Sequence, residues 1–367
     1  MDIFRIGDVV HHSHTESQVE TSVLERQLGG RTLNGFDPRI AFSQVLEHPG
    51  RRIESGHFIT AVGQPGGDHT GATTGIENLS GRHQLADQGD PLAGVDTTLP
   101  DGVDGAQLAA YCLMLGDDAL VSAHRLAQWC THAPELEEEM ALANISLDLL
   151  GQARLLLARA ATADAGVVPV VSETSPAPAE DALAFFRDEQ DFRNVRLTEL
   201  PNGDFAQSMA RLLIFSTWRL AVFDRLRTSG DPVLAAVADK GVKELTYHRD
   251  YAARWVVTLG CGTTESARRL ADGLARVWPY AAELFVPTAT ELDLAAASVA
   301  VDPRTVREEF DQVIEQVLHA AETALPAGPS IGRTGGRAGR EGAHTEWMGY
   351  ILAETQSVAR ANPEGVW

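Results

Sequence analysis

PELEEEMALANISLDLLGQARLLLARA, from Pro134 to about Ala160, reads as one unbroken helix and decides the fold. Pro134 and the acidic run Glu135, Glu137, Glu138 and Glu139 mark its start. The first turn of a helix has unpaired amides and a positive dipole end, which proline tolerates and carboxylates complement. Apolar side chains then recur on every side, and a helix of that kind is expected inside a bundle rather than on its surface. The polar residues left among them, in the run Asp148-Leu149-Leu150-Gly151-Gln152, are expected to point at whatever lies in the bundle's centre.

Outward from this segment the chain continues in the same style. A helix from about Ala106 to Trp129 precedes it, with Leu113, Leu120, His124 and Ala127 at helical spacing. A connector rich in Pro, Ala, Ser and Val follows, from about Thr162 to Ala179, and then a densely charged segment holding Arg187, Asp188, Asp191 and Arg193. Pro201-Asn202-Gly203 is a turn signal, and Asp204 is placed to cap a third long helix, Phe205 to Thr228. Ser229-Gly230-Asp231-Pro232 ends that helix and starts a fourth, which runs to about Leu259. Helices over Thr264–Val277, Pro303–Ala324 and about His344–Arg360 complete the reading, the last after a Gly/Arg-rich loop, Gly328–Gly342. No stretch alternates in the manner of a strand. The fold class is all-α.

The first hundred residues differ. They show no sustained helical period, and seven of the chain's 12 histidines fall there, including the cluster His11, His12 and His14. That cluster reads as a metal-binding tail, as a disordered extension too poor in apolar surface to fold, or as sequence upstream of a start nearer residue 100. The expectation is a disordered or misassigned extension over 1–100 and one folded unit over 104–367.

A formal charge of -21 over 367 residues opposes nucleic acid and anionic membrane surfaces as partners. The three cysteines, Cys112, Cys130 and Cys261, form neither CxxC nor zinc spacing and read as small buried residues of a reducing compartment. No run approaches the ~20 apolar residues of a membrane span, and no secretory leader is recognisable. A cytoplasmic protein is expected.

A bundle of four long helices holds two irons when one Glu comes from each of two helices and a Glu-x-x-His pair from each of the others. Residues three apart share a helix face and so reach the same metal pair. Glu54/His57, in the leader, and Glu341/His344, at a glycine loop, match the spacing but not the helical context. In the second helix the pair's place is taken by Leu149 and Gln152, and in the fourth by Leu245 and His248. Asp148 and Glu244 survive beside them. Gln, one His and a displaced Asp hold iron weakly once the four carboxylates are gone. Asp148, Gln152, Glu244 and His248 are expected instead to hydrogen-bond one another across the bundle. No phosphate-binding glycine loop and no GxSxG elbow occurs. Arg187, Asp188, Asp191 and Arg193 read as helix-end ion pairs or as a charged partner contact.

Four segments carry a resemblance: HRLAQWCTHAPELEEEMALANISLDLLGQARLLL (124–157), FFRDEQDFRNVRLTELPNGDF (185–205), KELTYHRDYAARWVVTLGCGT (243–263) and GAHTEWMGYILAETQ (342–356). They resemble the non-catalytic structural subunits of bacterial ring-1,2-phenylacetyl-CoA epoxidase, over roughly Asp104 to Trp367. The resemblance implies a ferritin-like four-helix bundle with extra C-terminal helices. It also implies a place in a multicomponent monooxygenase of aerobic phenylacetate degradation. In that family a related di-iron subunit epoxidises the CoA-activated ring with O₂, and a reductase carrying FAD and an iron–sulfur centre supplies electrons from NADPH. The structural subunit pairs with the catalytic one and has lost its own ligands, so no catalytic residue and no cofactor is carried over to this chain. The first helix matches most loosely, with His124 or Gln128 standing near the lost carboxylate. Trp129, Trp218, Trp255, Trp278 and Trp347 are candidate anchors of the subunit contact. Two other readings stay open: an active di-iron oxygenase with an unconventional ligand set, and a free-standing helical interaction module.

Overall fold

The computed structural model describes residues 91–365, so the His11/His12/His14 cluster and the Glu54/His57 pair lie outside the described residues. Among the described residues there are nine α-helices: α1 (Gly105–Ala127), α2 (Leu136–Ala163), α3 (Ala179–Phe185), α4 (Phe205–Leu226), α5 (Pro232–Gly260), α6 (Thr264–Val277), α7 (Ala289–Ala296), α8 (Arg307–Ala320) and α9 (Glu346–Ala361). The one β-type pairing among them is the isolated bridge Thr334–Arg337. The fold is all-α. Long α1 packs along α2, long α4 along α5, and α2 meets α5, which closes a ferritin-like four-helix bundle. The C-terminal helices cover it: α6 lies on α4, α8 on α4 and α5, and α9 on α3 and α1.

Local chemistry sets the helix ends. The Asp104, Asp204 and Asp231 carboxylates accept from the amides of Ala106, Gln207 and Leu234 at 3.0, 3.0 and 2.9 Å, satisfying donors that a helix start leaves bare. Gly203, at φ 61°, makes the turn before α4 in a left-handed conformation that glycine adopts without strain. Two helices escape the periodicity. The α3 segment has only seven residues, too few to show a period. Helix α7 begins at Thr288-Ala289-Thr290-Glu291, where Thr288 and Glu291 cap each other's backbone amides, the signal that finds it in retrospect. The expected helix over Pro303–Ala324 divides into a 3-10 turn (Pro303–Val306) and α8.

The surrounded helix is α4, not α2: every residue from Ala206 to Phe223 is buried. Helix α2 puts Leu142, Ile145, Leu149 and Leu156 into the core but leaves Leu136, Met140, Leu147 and Leu150 exposed. Its all-round apolarity reflects one face against the bundle and a second face left bare. By length and composition alone α2 is apolar enough to cross a membrane, contrary to the sequence reading, although 44% of its most apolar window is buried inside the fold.

Candidate functional site

Helices α2 and α5 run side by side, and their surviving polar residues meet. Gln152 Nε2 donates to Glu244 Oε2 at 2.9 Å, and His248 Nε2 lies 3.0 Å from Asp148 Oδ2. The sequence reading anticipated these cross-bundle bonds. The two aliphatic residues at the pair positions, Leu149 and Leu245, are fully buried beside them. His248 is also fully buried, whereas the Asp148 side chain is 37% exposed, so this pair opens toward the outer surface of α2 and α5. Glu244 continues outward to Lys240, 3.4 Å away.

A third helix, α4, contributes Arg219 to this centre, a residue not among the sequence candidates. Its guanidinium is fully buried; Nε donates to Gln152 Oε1 at 3.0 Å and Nη1 to the Leu115 carbonyl of α1 at 3.1 Å. It stacks over the Phe223 ring at 4.4 Å, with Phe215 at 5.8 Å. Burial pushes its pKa down to about 10, with the charges of Asp118 and Glu244 pulling the other way, so it is a cation at neutral pH. An arginine as the one charged residue in the run from Leu212 to Phe223 was the available signal. Gly241 lets α5 approach here: a Cβ on it would lie 2.7 Å from the Phe223 ring and 3.4 Å from Gln152 Nε2.

The donors do not fit a pair of irons. Leu149 and Leu245 offer no donor atom, Gln152 is bonded at both ends of its amide, and a guanidinium occupies the space between α1, α2 and α4. A fixed cation there opposes two divalent ions through the same Coulomb term that four carboxylates would supply in their favour. On α1, Gln128 is engaged with Arg125 at 3.1 Å and Glu354 at 3.0 Å, and His124, half-buried, has its pKa pushed down to about 4 by burial. Neither is hydrogen-bonded to Asp148, Gln152, Glu244 or His248. Glu341 and His344 also part company. Glu341 accepts from the Ala338 amide at 2.9 Å, while His344 bonds Glu199 through Nδ1 at 2.7 Å and the Phe192 carbonyl through Nε2 at 3.2 Å.

The charged segment after α3 turns inward. Arg187 is buried and grips Asp117 of α1 with both Nη atoms, and its guanidinium lies 4.2 Å from the Phe192 ring. Arg193 donates its amide to the same carboxylate at 2.8 Å and its side chain to the carbonyls of Gln190 and Phe192. Beside it, Asp118 binds Arg340 at 3.0 and 2.8 Å and the Val195 amide at 2.9 Å. Arg187 is therefore no surface contact: the sequence showed the charges but not their partners on α1. Asp188 and Asp191 are exposed, and Asp188 pairs with Arg360 of α9 at 3.1 Å. Fully buried Glu199 accepts from His344, from the Thr345 amide and hydroxyl, and from Asn194, which fastens the start of α9.

The remaining candidates divide. Cys112 is buried, but Cys130 is exposed and Cys261 half-buried, so the small-buried-residue reading holds for the first alone. Trp218 is buried, Trp129 donates to Ser208 at 3.0 Å, Trp255 packs edge-on against Phe205, and Trp278 stacks on Phe310. Trp347 alone of these reaches the surface substantially.

The chain is similar to known proteins. The family model described as "Phenylacetic acid catabolic protein" matches residues 96–367. A relative from Escherichia coli (strain K12), one of the subunits of 1,2-phenylacetyl-CoA epoxidase, is 42% identical over 261 residues, which are 71% of this chain and 99% of the relative.

Proposed function

This chain belongs to the phenylacetic acid catabolic protein family, and we propose that within it the chain is a non-catalytic structural subunit. It acts in phenylacetate catabolism as one member of a hetero-oligomeric phenylacetyl-CoA epoxidase. The di-iron chemistry belongs to a separate catalytic subunit, and electrons reach that subunit from NADPH through a reductase carrying FAD and an iron–sulfur centre. The chain works in the cytoplasm. The carrying observation is the donor set: Leu149, Gln152 and Leu245 stand at pair positions, and the Arg219 guanidinium is bonded to Gln152 and to α1.

The physical role of such a subunit is to present a rigid surface. The bundle centre is fixed by bonds from Arg219 to α1 and α2; Arg187 pins the segment after α3 to Asp117 of α1, Glu199 holds His344 just before α9, and Arg340 ties the loop before α9 to Asp118 of α1. Two exposed faces, on α2 and on α9, remain for partners.

The test is metal and turnover analysis of separated subunits. This chain, purified alone, is expected to carry well under one iron and to leave phenylacetyl-CoA unchanged in the presence of reductase, NADPH and O₂. Adding it to the iron-bearing co-subunit is expected to raise that subunit's turnover or stability. About two irons in this chain alone, or unaided epoxidation, would replace this reading with that of an active oxygenase using an unconventional ligand set.

A further inference from the structure

In a bundle that holds two irons the ligands come from all four helices, so the metal ties the helices together as well as supplying chemistry. Here a line of polar bonds makes the same four-way connection from protein atoms. It starts at the Leu115 carbonyl of α1, which accepts from Arg219 Nη1 at 3.1 Å. Arg219, on α4, donates Nε to Gln152 Oε1 of α2 at 3.0 Å. Gln152 carries the connection on by donating Nε2 to Glu244 Oε2 of α5 at 2.9 Å. Gln152 is buried, Arg219 fully so, and the Glu244 side chain is only 15% exposed.

Chemistry fixes the order of groups along the line. A guanidinium only donates and a carboxylate only accepts, so the Gln152 amide has one workable orientation between them, carbonyl to Arg219 and amine to Glu244. The amide thus links a buried cation to a carboxylate on another helix, each bond polarising the next. Arg219 Nη2 has no hydrogen-bond partner among the described residues, and the Phe223 ring lies 4.4 Å from the guanidinium carbon. Glycine lets the helices close in at this level. A Cβ on Gly116, next to Leu115, would come within 3.1 Å of Leu157, and Gly241, one turn before Glu244, faces Phe223 and Gln152. We infer that the line from Leu115 through Arg219 and Gln152 to Glu244 is a cross-brace holding the four helices in register, in which a covalently fixed cation does the structural work of a metal pair. That cation cannot be chelated, exchanged or reduced, so the body of this chain keeps its shape through changes of iron and redox state around it. This deepens the proposed function and rests on it only for the centre being metal-free.

The test is thermal unfolding, hydrogen exchange and metal analysis of the full-length chain and its variants. Gln152→Leu strands the buried guanidinium and is expected to lower Tm by roughly 6–15 °C. Adding Arg219→Met to Gln152→Leu is expected to recover at least half of that loss, because apolar groups then replace the stranded charge. Should Gln152→Leu not fold, recovery of a folded chain by Arg219→Met gives the same answer. Arg219→Lys keeps the charge but lacks the fork that reaches both Gln152 and Leu115, and is expected to stay about 4 °C or more below wild type. Amide protection in Gln152→Leu is expected to fall about 100-fold on all four helices, whereas a loss confined to α2 would overturn the brace. Ferrous iron, a chelator or dithionite is expected to move the wild-type Tm by less than about 1 °C. A Gln152→Leu chain as stable as wild type, or a double variant less stable than Gln152→Leu alone, would overturn the brace and leave the structural-subunit reading untouched. About two irons in the wild-type chain, with a Tm that falls on chelation, would remove both.

Discussion

Replacing Arg340 with Met tests whether the buried charge pairs hold the molecule together. Arg340 is buried, reaches Asp118 with both Nη atoms at 3.0 and 2.8 Å, and donates to the carbonyls of Met114 and Arg193, each at 2.8 Å. Burial works against its charge, but the carboxylates of Asp118, Glu291 and Glu283 outweigh that and leave its pKa raised. Methionine keeps most of the volume and removes every donor. Fully buried Asp118 then keeps the Val195 amide, 2.9 Å away, against a full negative charge. Removing one partner of a buried pair costs about 3–5 kcal/mol. For a unit of this size that corresponds to a fall in Tm of roughly 6–15 °C. Thermal unfolding by circular dichroism measures the loss, and hydrogen exchange locates it: amides of residues 193–195 and the 338–345 loop are expected to lose protection before those of α4. Adding Asp118→Asn to Arg340→Met is expected to recover part of the loss, because the stranded charge is then gone. A single-variant cost under ~1 kcal/mol, or a double variant no better than the single, would refute the claim that this pair fixes the segment between α3 and α4.

Three further outcomes follow from the same geometry. Asp148→Ala and His248→Ala are expected to leave kcat of the assembled epoxidase within about twofold, and Asp148→Ala to lower this chain's stability by ~1–3 kcal/mol, the cost of stranding buried His248; a hundredfold loss of kcat with an intact complex would place chemistry here. Two histidines tilt the pH profile oppositely. The pKa of His344 is raised: burial opposes its charge, but the Glu199 bond outweighs it, so its stabilisation is full below about 6.5 and fades as pH climbs through the raised value. His344→Gln should flatten the Tm profile above pH 6.5. His124, depressed to about 4 by burial, costs stability as pH falls from about 6.5 toward 4, and His124→Phe should remove that loss. Gly241→Val is expected to cost about 1–3 kcal/mol or more by wedging α5 off Phe223, read as a lower Tm with unchanged helicity at 20 °C.

The helices were legible because the long ones carry their own period and start signals: Asp204 and Asp231 cap where the sequence places them. That no long helix carries a Glu-x-x-His pair in its interior was legible too, because that spacing is a property of one helix and can be checked without knowing its neighbours. Family membership followed from runs such as KELTYHRDYAARWVVTLGCGT, which are local in the same sense. Packing decided the rest. Whether α2 or α4 is the surrounded helix depends on which neighbours cover it, and both look apolar all round in one dimension. The partners of Arg187 and Arg340 lie 70 and 222 residues away on α1, so the sequence displays their charges without revealing that they are buried. Arg219 belongs to the centre only because contacts from three helices converge on one guanidinium. Periodicity and capping act over a few residues and are written in the sequence; burial and ion pairing act across the chain, and only the tertiary structure assigns them.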